Sequence, residues 1–197
     1  MKTYQLLLGS GSPRRRDLIE SLGWSFERVS IHCAEDHPEI LQGAEIACYL
    51  AQKKSMAYAE ELGQNELLLT ADTVVWYDGV HLAKPENRQE AISMLGRLSG
   101  SIHEVITGVA IRTAENIKVF SETTRVHFCP LKDEQIEFYV DHYQPFDKAG
   151  AYGIQEWIGM TGIPKIEGCY FNVVGLPVQR LVSEIDSSGM EIATRVQ

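Results

Sequence analysis

Four stretches of this chain carry residue types whose spacing could do chemistry. The first is Ser10-Gly11-Ser12-Pro13-Arg14-Arg15. Gly and Ser let a backbone approach a ligand closely, a helix start supplies N–H donors, and arginines supply forked cations. A polyphosphate asks for that combination, although a capped surface helix with solvated arginines reads the same way. The second is Asp72, set in the apolar, β-branched run Leu68-Leu69-Thr70-Ala71-Asp72-Thr73-Val74-Val75. A buried, unpaired acid is costly, so Asp72 needs a cation, a metal or a wet cleft. The third is Lys84-Pro85, where the proline fixes the chain around the lysine, although on its own this pair reads better as an exposed loop lysine. The fourth is Asp147-Lys148-Ala149-Gly150-Ala151-Tyr152-Gly153-Ile154-Gln155. A glutamine amide both donates and accepts, so Gln155 could read a base edge. Tyr152 fits a core equally well.

Two acids and two lysines extend this set. Glu35 and Asp36 could join Asp72 as hard oxygen ligands for Mg²⁺, or could belong to a solvated acidic loop. Either lysine of Lys53-Lys54 could reach a phosphate from a helix, with the other left in solvent. His32, Cys33 and His37 lie close together but lack a clustered fourth ligand, which argues against a transition-metal site.

The elements that must position these residues alternate between strand and helix. Tyr4–Leu8 predicts a buried strand, and Ser12 followed by Pro13 predicts a helix start, with Gly23 as its stop. Residues 26–31 alternate like a strand, residues 32–43 are a polar loop, and 44–62 carry apolar residues at helical spacing. Residues 67–76 predict a strand, and Asp78-Gly79 a hairpin turn. A helix over 90–98 and two long β segments, 103–113 and 118–128, follow. Asp133 is expected to cap a helix running to about His142, residues 150–154 to form a short strand or turn, and 173–185 a final helix. This order predicts an α/β fold with a mixed sheet, and no repeat or linker divides residues 1–197, so one domain is expected.

Composition narrows the function. Eighteen basic against 27 acidic residues leave a net charge of −9, which argues against nucleic acid as a partner. A few clustered cations can still bind a small anion locally. There is no run of about 20 apolar residues and no signal-like N-terminus, so no membrane partner is expected. Cys33, Cys48, Cys129 and Cys169 have no CxxC spacing; reduced thiols in the cytoplasm are the expectation.

Taken together, the motifs resemble the Maf family of nucleoside triphosphate pyrophosphatases. The resemblance is carried by Leu8-Gly9-Ser10-Gly11-Ser12-Pro13-Arg14-Arg15, Leu50-Ala51-Gln52-Lys53-Lys54, Thr70-Ala71-Asp72-Thr73-Val74-Val75 and Leu82-Ala83-Lys84-Pro85. The Asp147–Gln155 segment and Asn172-Val173-Val174-Gly175-Leu176-Pro177 continue it in family order, to about residue 180. The resemblance implies an inosine triphosphatase-like α/β fold with two lobes around a cleft, frequently as a homodimer. It implies hydrolysis of nucleoside triphosphates to monophosphate and pyrophosphate with a divalent cation, Mg²⁺ or Mn²⁺. By the same resemblance, Ser10, Arg14 and Arg15 match the phosphate loop, and Lys54 and Lys84 match lysines that hold the triphosphate. Asp72 matches the water-activating acid and, with Glu35, the metal site. Gln155 matches a position that separates subfamilies, and the Gly-Ile-Gln ending resembles the branch acting on dTTP, UTP and related pyrimidine nucleotides. A 7-methyl-GTP specificity, or a nucleotide-binding regulator of septum formation, are the alternatives. The chain departs from the pattern at Glu156-Trp157, where Gly commonly follows the glutamine, and at Cys169, where Ser is common.

Overall fold

The computed structural model describes residues 2–194. Its strands are β1 (Lys2–Leu8), β2 (Phe26–Arg28), β3 (Glu66–Tyr77), β4 (Val80–Leu82), β5 (Ile102–Arg112), β6 (Ile117–His127), β7 (Lys165–Glu167) and β8 (Met190–Ile192). Its helices are α1 (Pro13–Ser21), α2 (Ala44–Met56), α3 (Arg88–Leu98), α4 (Asp133–Tyr143), α5 (Trp157–Gly162), α6 (Tyr170–Val174) and α7 (Val178–Ser187). The strands form one mixed sheet in the order β2-β1-β3-β5-β6-β7, with β4 on β3 and β8 on β1. β1 runs parallel to β2, β3 and β8, while β3, β5, β6 and β7 pair antiparallel. Leu6, Leu7 and Leu8 are all buried, as a parallel strand covered on both faces requires.

The register leaves a gap in this sheet. β1 pairs with β3 from Gln5↔Glu66 to Leu8↔Leu69, and β4 takes the same edge of β3 only from Val75 to Tyr77. β5 holds the opposite edge continuously from Leu68 to Trp76. Among the described residues, 70–74 of β3 therefore have one edge without a strand partner, where the chain turns out of β1 into α1.

Two cores flank that gap on one face of the sheet. Leu67, Leu69, Ala71, Val109 and Ile111 pack with Ile19 of α1 and with Leu181 and Ile185 of α7. Farther along the same face, Val75, Val105, Val126 and Phe128 pack with Leu95 of α3 and with Ile136 and Val140 of α4. Between them the same face carries Thr73 and Thr107, whose hydroxyls lie 3.0 Å apart. The opposite face is covered by α2, where Ile46, Ala47 and Leu50 meet Val74 and Ile106.

The mixed α/β sheet and its flanking helices agree with expectation, and several boundaries differ. α2 ends at Met56 rather than Leu62, because Leu62 turns back to pack with Leu7 and Leu68. β2 stops at Arg28, since β1 ends at its partner Leu8. Asp133 is the first helical residue of α4, and Lys132 precedes it as the cap. Residues 149–151 form a 3₁₀ turn in which Gly150 has φ 69°, close against Val75. The expected helix over 173–185 is two helices, α6 and α7, broken at Gly175 with φ 129°. The short β7 and β8 owe their strand form to pairing with β6 and β1 rather than to a local pattern. The expected single-domain span of 1–197 includes residues 1 and 195–197, which lie outside the described residues.

Gly108 sets how close α2 comes to the sheet. A Cβ there would fall 2.1 Å from the carbonyl oxygen of Ala47, a backbone atom that no rotamer change can move. Gly108→Ala is expected to lower stability by about 3 kcal/mol, read as a reduced urea midpoint.

Candidate active site

The site residues meet at the open edge of β3 from several elements. Asp72 points from β3 toward α2 and is 8% exposed. Lys54, in the last turn of α2, donates to Asp72 Oδ1 and, at 2.7 Å, to Glu35 Oε1. Lys84, just beyond β4, donates to Glu35 Oε2 at 2.7 Å. Glu35 thus bridges two lysines, and Asp72 shares one of them. Burial alone would raise the Glu35 carboxyl, but hydrogen bonds from Lys54 and Lys84, with their charges, outweigh it and hold the pKa at about 2.

The loop between β1 and α1 closes the other side. Ser12 caps α1, with its hydroxyl accepting from Arg15 N at 3.5 Å, and Pro13 opens the helix. Ser10 Oγ accepts from Ser12 N at 3.3 Å and from Arg15 Nη1 at 3.4 Å. Arg15 is tied inward: Nε donates to Gly175 O at 2.8 Å, Nη1 to Ala71 O at 2.8 Å, and Nη2 to Thr73 Oγ1 at 3.0 Å. Burial pushes the pKa of its guanidinium down and Asp72 opposes that shift; an arginine stays charged regardless. Arg14 faces outward and donates to Asp147 Oδ2 at 3.0 Å. Lys148 lies 2.7 Å from the other oxygen of Asp147.

Ser10, Arg14, Arg15, Glu35, Lys54, Asp72, Lys84 and Gln155 all line one cleft of about 430 Å³. Such a volume suits a small molecule. Toward Gln155 the walls turn apolar, with Val75, Val105, Tyr152, Ile154 and Val173. Gln155 is exposed, and its amide makes no hydrogen bond to the described residues. Asp36 and Lys53, also singled out from the sequence, pair with each other at 2.7 Å outside this lining.

Thr73, Asp147, Lys148 and His81 also line the cleft, without a role assigned from sequence. Asp147 and Lys148 stood inside a motif already marked, so their charges were a usable signal. Thr73 likewise stood beside Asp72 in a marked motif, whereas His81 had no such signal, because only the register of β4 on β3 brings it to the cleft. His81 Nδ1 lies 3.3 Å from His37 Nε2, joining the Glu35 loop to β4.

The donor set at Lys54 fits a hard divalent cation. Mg²⁺ characteristically takes one or two carboxylates and completes its shell with phosphate oxygens and water. Glu35 and Asp72 flank one ammonium, and the second oxygen of Asp72 accepts no hydrogen bond from the described residues. The described residues contain no group of three or more His, Cys, Asp or Glu side chains able to hold a metal by themselves.

Residues 5–188 match the family described as Maf-like protein. The chain belongs to the Maf family. Similar Maf-family proteins include the dTTP/UTP pyrophosphatase of Bacteroides fragilis (strain YCH46), 49% identical over 183 residues, or 92% of this chain and 95% of that protein. The dTTP/UTP pyrophosphatase of Phocaeicola vulgatus is 47% identical over 186 residues, covering 94% of this chain and 96% of its own length. That of Porphyromonas gingivalis (strain ATCC 33277) is 45% identical over 192 residues, 96% of each chain. Among the described residues, no helix of this Maf-family chain is long and apolar enough to cross a membrane.

The cleft wall is braced by a buried histidine. His103 is 2% exposed, and its Nε2 lies 2.8 Å from the hydroxyl of Tyr152. Burial, then the charge of His127, pushes its pKa from 6.5 down to about 4. As pH falls through that window the unfolded chain takes up the proton first, so the folded state loses stability, by on the order of 3 kcal/mol. Thermal unfolding from pH 7 to 4 is expected to show this loss, and His103→Gln to flatten it.

Proposed function

We propose that this protein hydrolyses nucleoside triphosphates, dTTP and UTP with their modified pyrimidine analogues, to the monophosphate and pyrophosphate. The observation that carries this reading is Lys54 held between Asp72 and Glu35, opposite the β1–α1 loop. It sets an acid able to accept a proton beside cations able to hold phosphate. A binding protein would need the cations and the loop, but not a nearly buried acid with one oxygen uncommitted.

The chain's own groups divide the work. Ser10, Arg14 and the N-terminal N–H groups of α1 receive phosphate oxygens. Arg15 adds positive charge and holds the Ser10 hydroxyl in place, since its other donors are taken by Gly175, Ala71 and Thr73. Lys84 and Lys54 exchange Glu35 for phosphate oxygens and stabilise the charge that builds on departing pyrophosphate. Asp72, fixed by Lys54, accepts a proton from a water aimed at the α phosphorus. The new bond joins that water oxygen to the α phosphorus, and the bond to the α–β bridging oxygen breaks. Glu35 and Asp72 would hold a Mg²⁺ or Mn²⁺ ion, which would supply charge neutralisation on the phosphates. Val75, Val105 and Tyr152 line the part of the cleft left for the base, with Gln155 at its rim. A single domain spanning 1–197, acting in the cytoplasm as a homodimer, completes the proposal.

The deciding assay is pyrophosphate release by pure protein with Mg²⁺ or Mn²⁺ from dTTP, UTP, 5-methyl-UTP, CTP, GTP and 7-methyl-GTP. Metal-dependent release from dTTP and UTP is expected; tight binding without release would instead make the protein a nucleotide-binding regulator. Asp72→Asn should keep the fold and lose turnover by about 100-fold or more, and a variant retaining near-native rate would remove Asp72 from its role. Gln155→Glu should shift base preference more than maximal rate, read from the same nucleotide panel.

A further inference from the structure

The turn that presents Gln155 is fastened by groups the phosphate chemistry does not use. Glu156 N donates to Gly153 O at 3.0 Å, closing a turn with Ile154 and Gln155 at its centre. Tyr139 of α4, fully buried, meets this turn with a single hydroxyl. That oxygen accepts from Gly153 N at 3.0 Å and donates to Glu156 Oε2. The other oxygen of Glu156 lies 3.1 Å from Lys148 Nζ, and the Lys148 side chain is 10% exposed. Lys148 also holds Asp147, the partner of Arg14.

Space around the turn is as restricted as its hydrogen bonds. A Cβ on Gly153 would lie 2.9 Å from the carboxyl carbon of Glu156. A Cβ on Gly159, in α5, would lie 1.9 Å from the carbonyl oxygen of Ile154. The turn is therefore clamped between the Glu156 carboxylate and α5, while the Gln155 amide, at the cleft, has no hydrogen-bond partner among the described residues.

We propose that Tyr139 and Glu156 are positioning residues for base discrimination: by locking the Gly153–Glu156 turn, they make Gln155 meet the base in one orientation. The inference rests on Gln155 being the residue that reads the base. An amide can favour one base edge over another only if its backbone is held still, because a mobile turn lets it satisfy both. Tyr139 sits in a mainly aliphatic and aromatic core, where phenylalanine would fill the same space without a hydroxyl to satisfy.

The test uses Tyr139→Phe, Glu156→Ala and Glu156→Gln in the full chain, with Gln155→Glu as the control. The readouts are kcat and KM for dTTP, CTP and GTP, and inhibition by inorganic tripolyphosphate, which has no base. Tyr139→Phe and Glu156→Ala are expected to reduce the kcat/KM preference for dTTP about tenfold, mainly through KM. Tripolyphosphate inhibition should stay unchanged. Glu156→Gln keeps an acceptor for the Tyr139 hydroxyl and should retain the preference. If Tyr139→Phe does not fold, the contrast between the two Glu156 variants decides alone. An unchanged preference in Tyr139→Phe and Glu156→Ala, while Gln155→Glu shifts it, would overturn the inference and leave the function standing. Tripolyphosphate affinity falling in step with dTTP would also overturn it, because the whole site would then have loosened. An unchanged profile in Gln155→Glu would remove its foundation, and native protein without pyrophosphate release would overturn the proposed function itself.

Discussion

The open edge of β3 is the constraint on which the rest of this structure depends. Among the described residues, five consecutive positions, 70–74, have a strand on one side and none on the other, because β1 ends at Leu8 opposite Leu69 and β4 reaches only as far as Leu82 opposite Val75. Backbone polar groups in such a gap need partners. Arg15 supplies one by donating to Ala71 O, and it thereby draws the start of α1 against the gap. The same arginine reaches Thr73 and Gly175, so the two cores and the break between α6 and α7 converge on one guanidinium. A cleft forms there because the sheet itself is interrupted. Since the interruption exposes both faces of β3, Asp72 and Thr73, adjacent in sequence and opposite in direction, both line it.

Charge in the cleft is organised as a chain rather than as a basic patch. Asp72, Lys54, Glu35 and Lys84 alternate in sign, each bonded to the next. Glu35 takes the place on the two lysines that phosphate oxygens would take, so in the free protein the cations are neither exposed to one another nor left unpaired. This arrangement reconciles the proposed anion site with a chain of net charge −9. The potential that matters to a small ligand is set by the few groups around it, which a low-dielectric cleft reinforces, and not by the sum over the surface. At the other end, Arg14, Asp147, Lys148 and Glu156 form a second alternating chain leading to the Gln155 turn. These ion pairs run from the start of α1 to the Gly153–Glu156 turn along one side of the cleft.

Much of this was legible in the sequence. The break after Leu8, the cap at Ser12, the acid inside an apolar strand and the Gly-rich segment before Gln155 are local signals with local causes. The alternation of strands and helices determined the α/β class and the paired central segments the mixed sheet, and the eight residues singled out do line one cleft. The carry-over of roles to Ser10, Lys54, Lys84 and Gln155 came from the joint order of motifs rather than from any one of them. Element ends were less legible: α2 stops at Met56 because Leu62 is needed in another cluster, and no property of residues 57–62 alone says so.

Only the tertiary structure decided which charged residues line the cleft and which pair outside it. Lys53 and Lys54 are chemically equal and adjacent; the turn of α2 over β3 sends one to Asp72 and the other to Asp36. Arg14 and Arg15 are likewise equal in sequence, yet one faces outward to Asp147 and the other is bound within the protein. The physical reason is that local sequence determines backbone conformation, which depends on near neighbours. The partners of a long charged side chain depend on strands and helices far apart in the chain. Those partners were set when β1, β3 and β4 took their registers and left the gap between them.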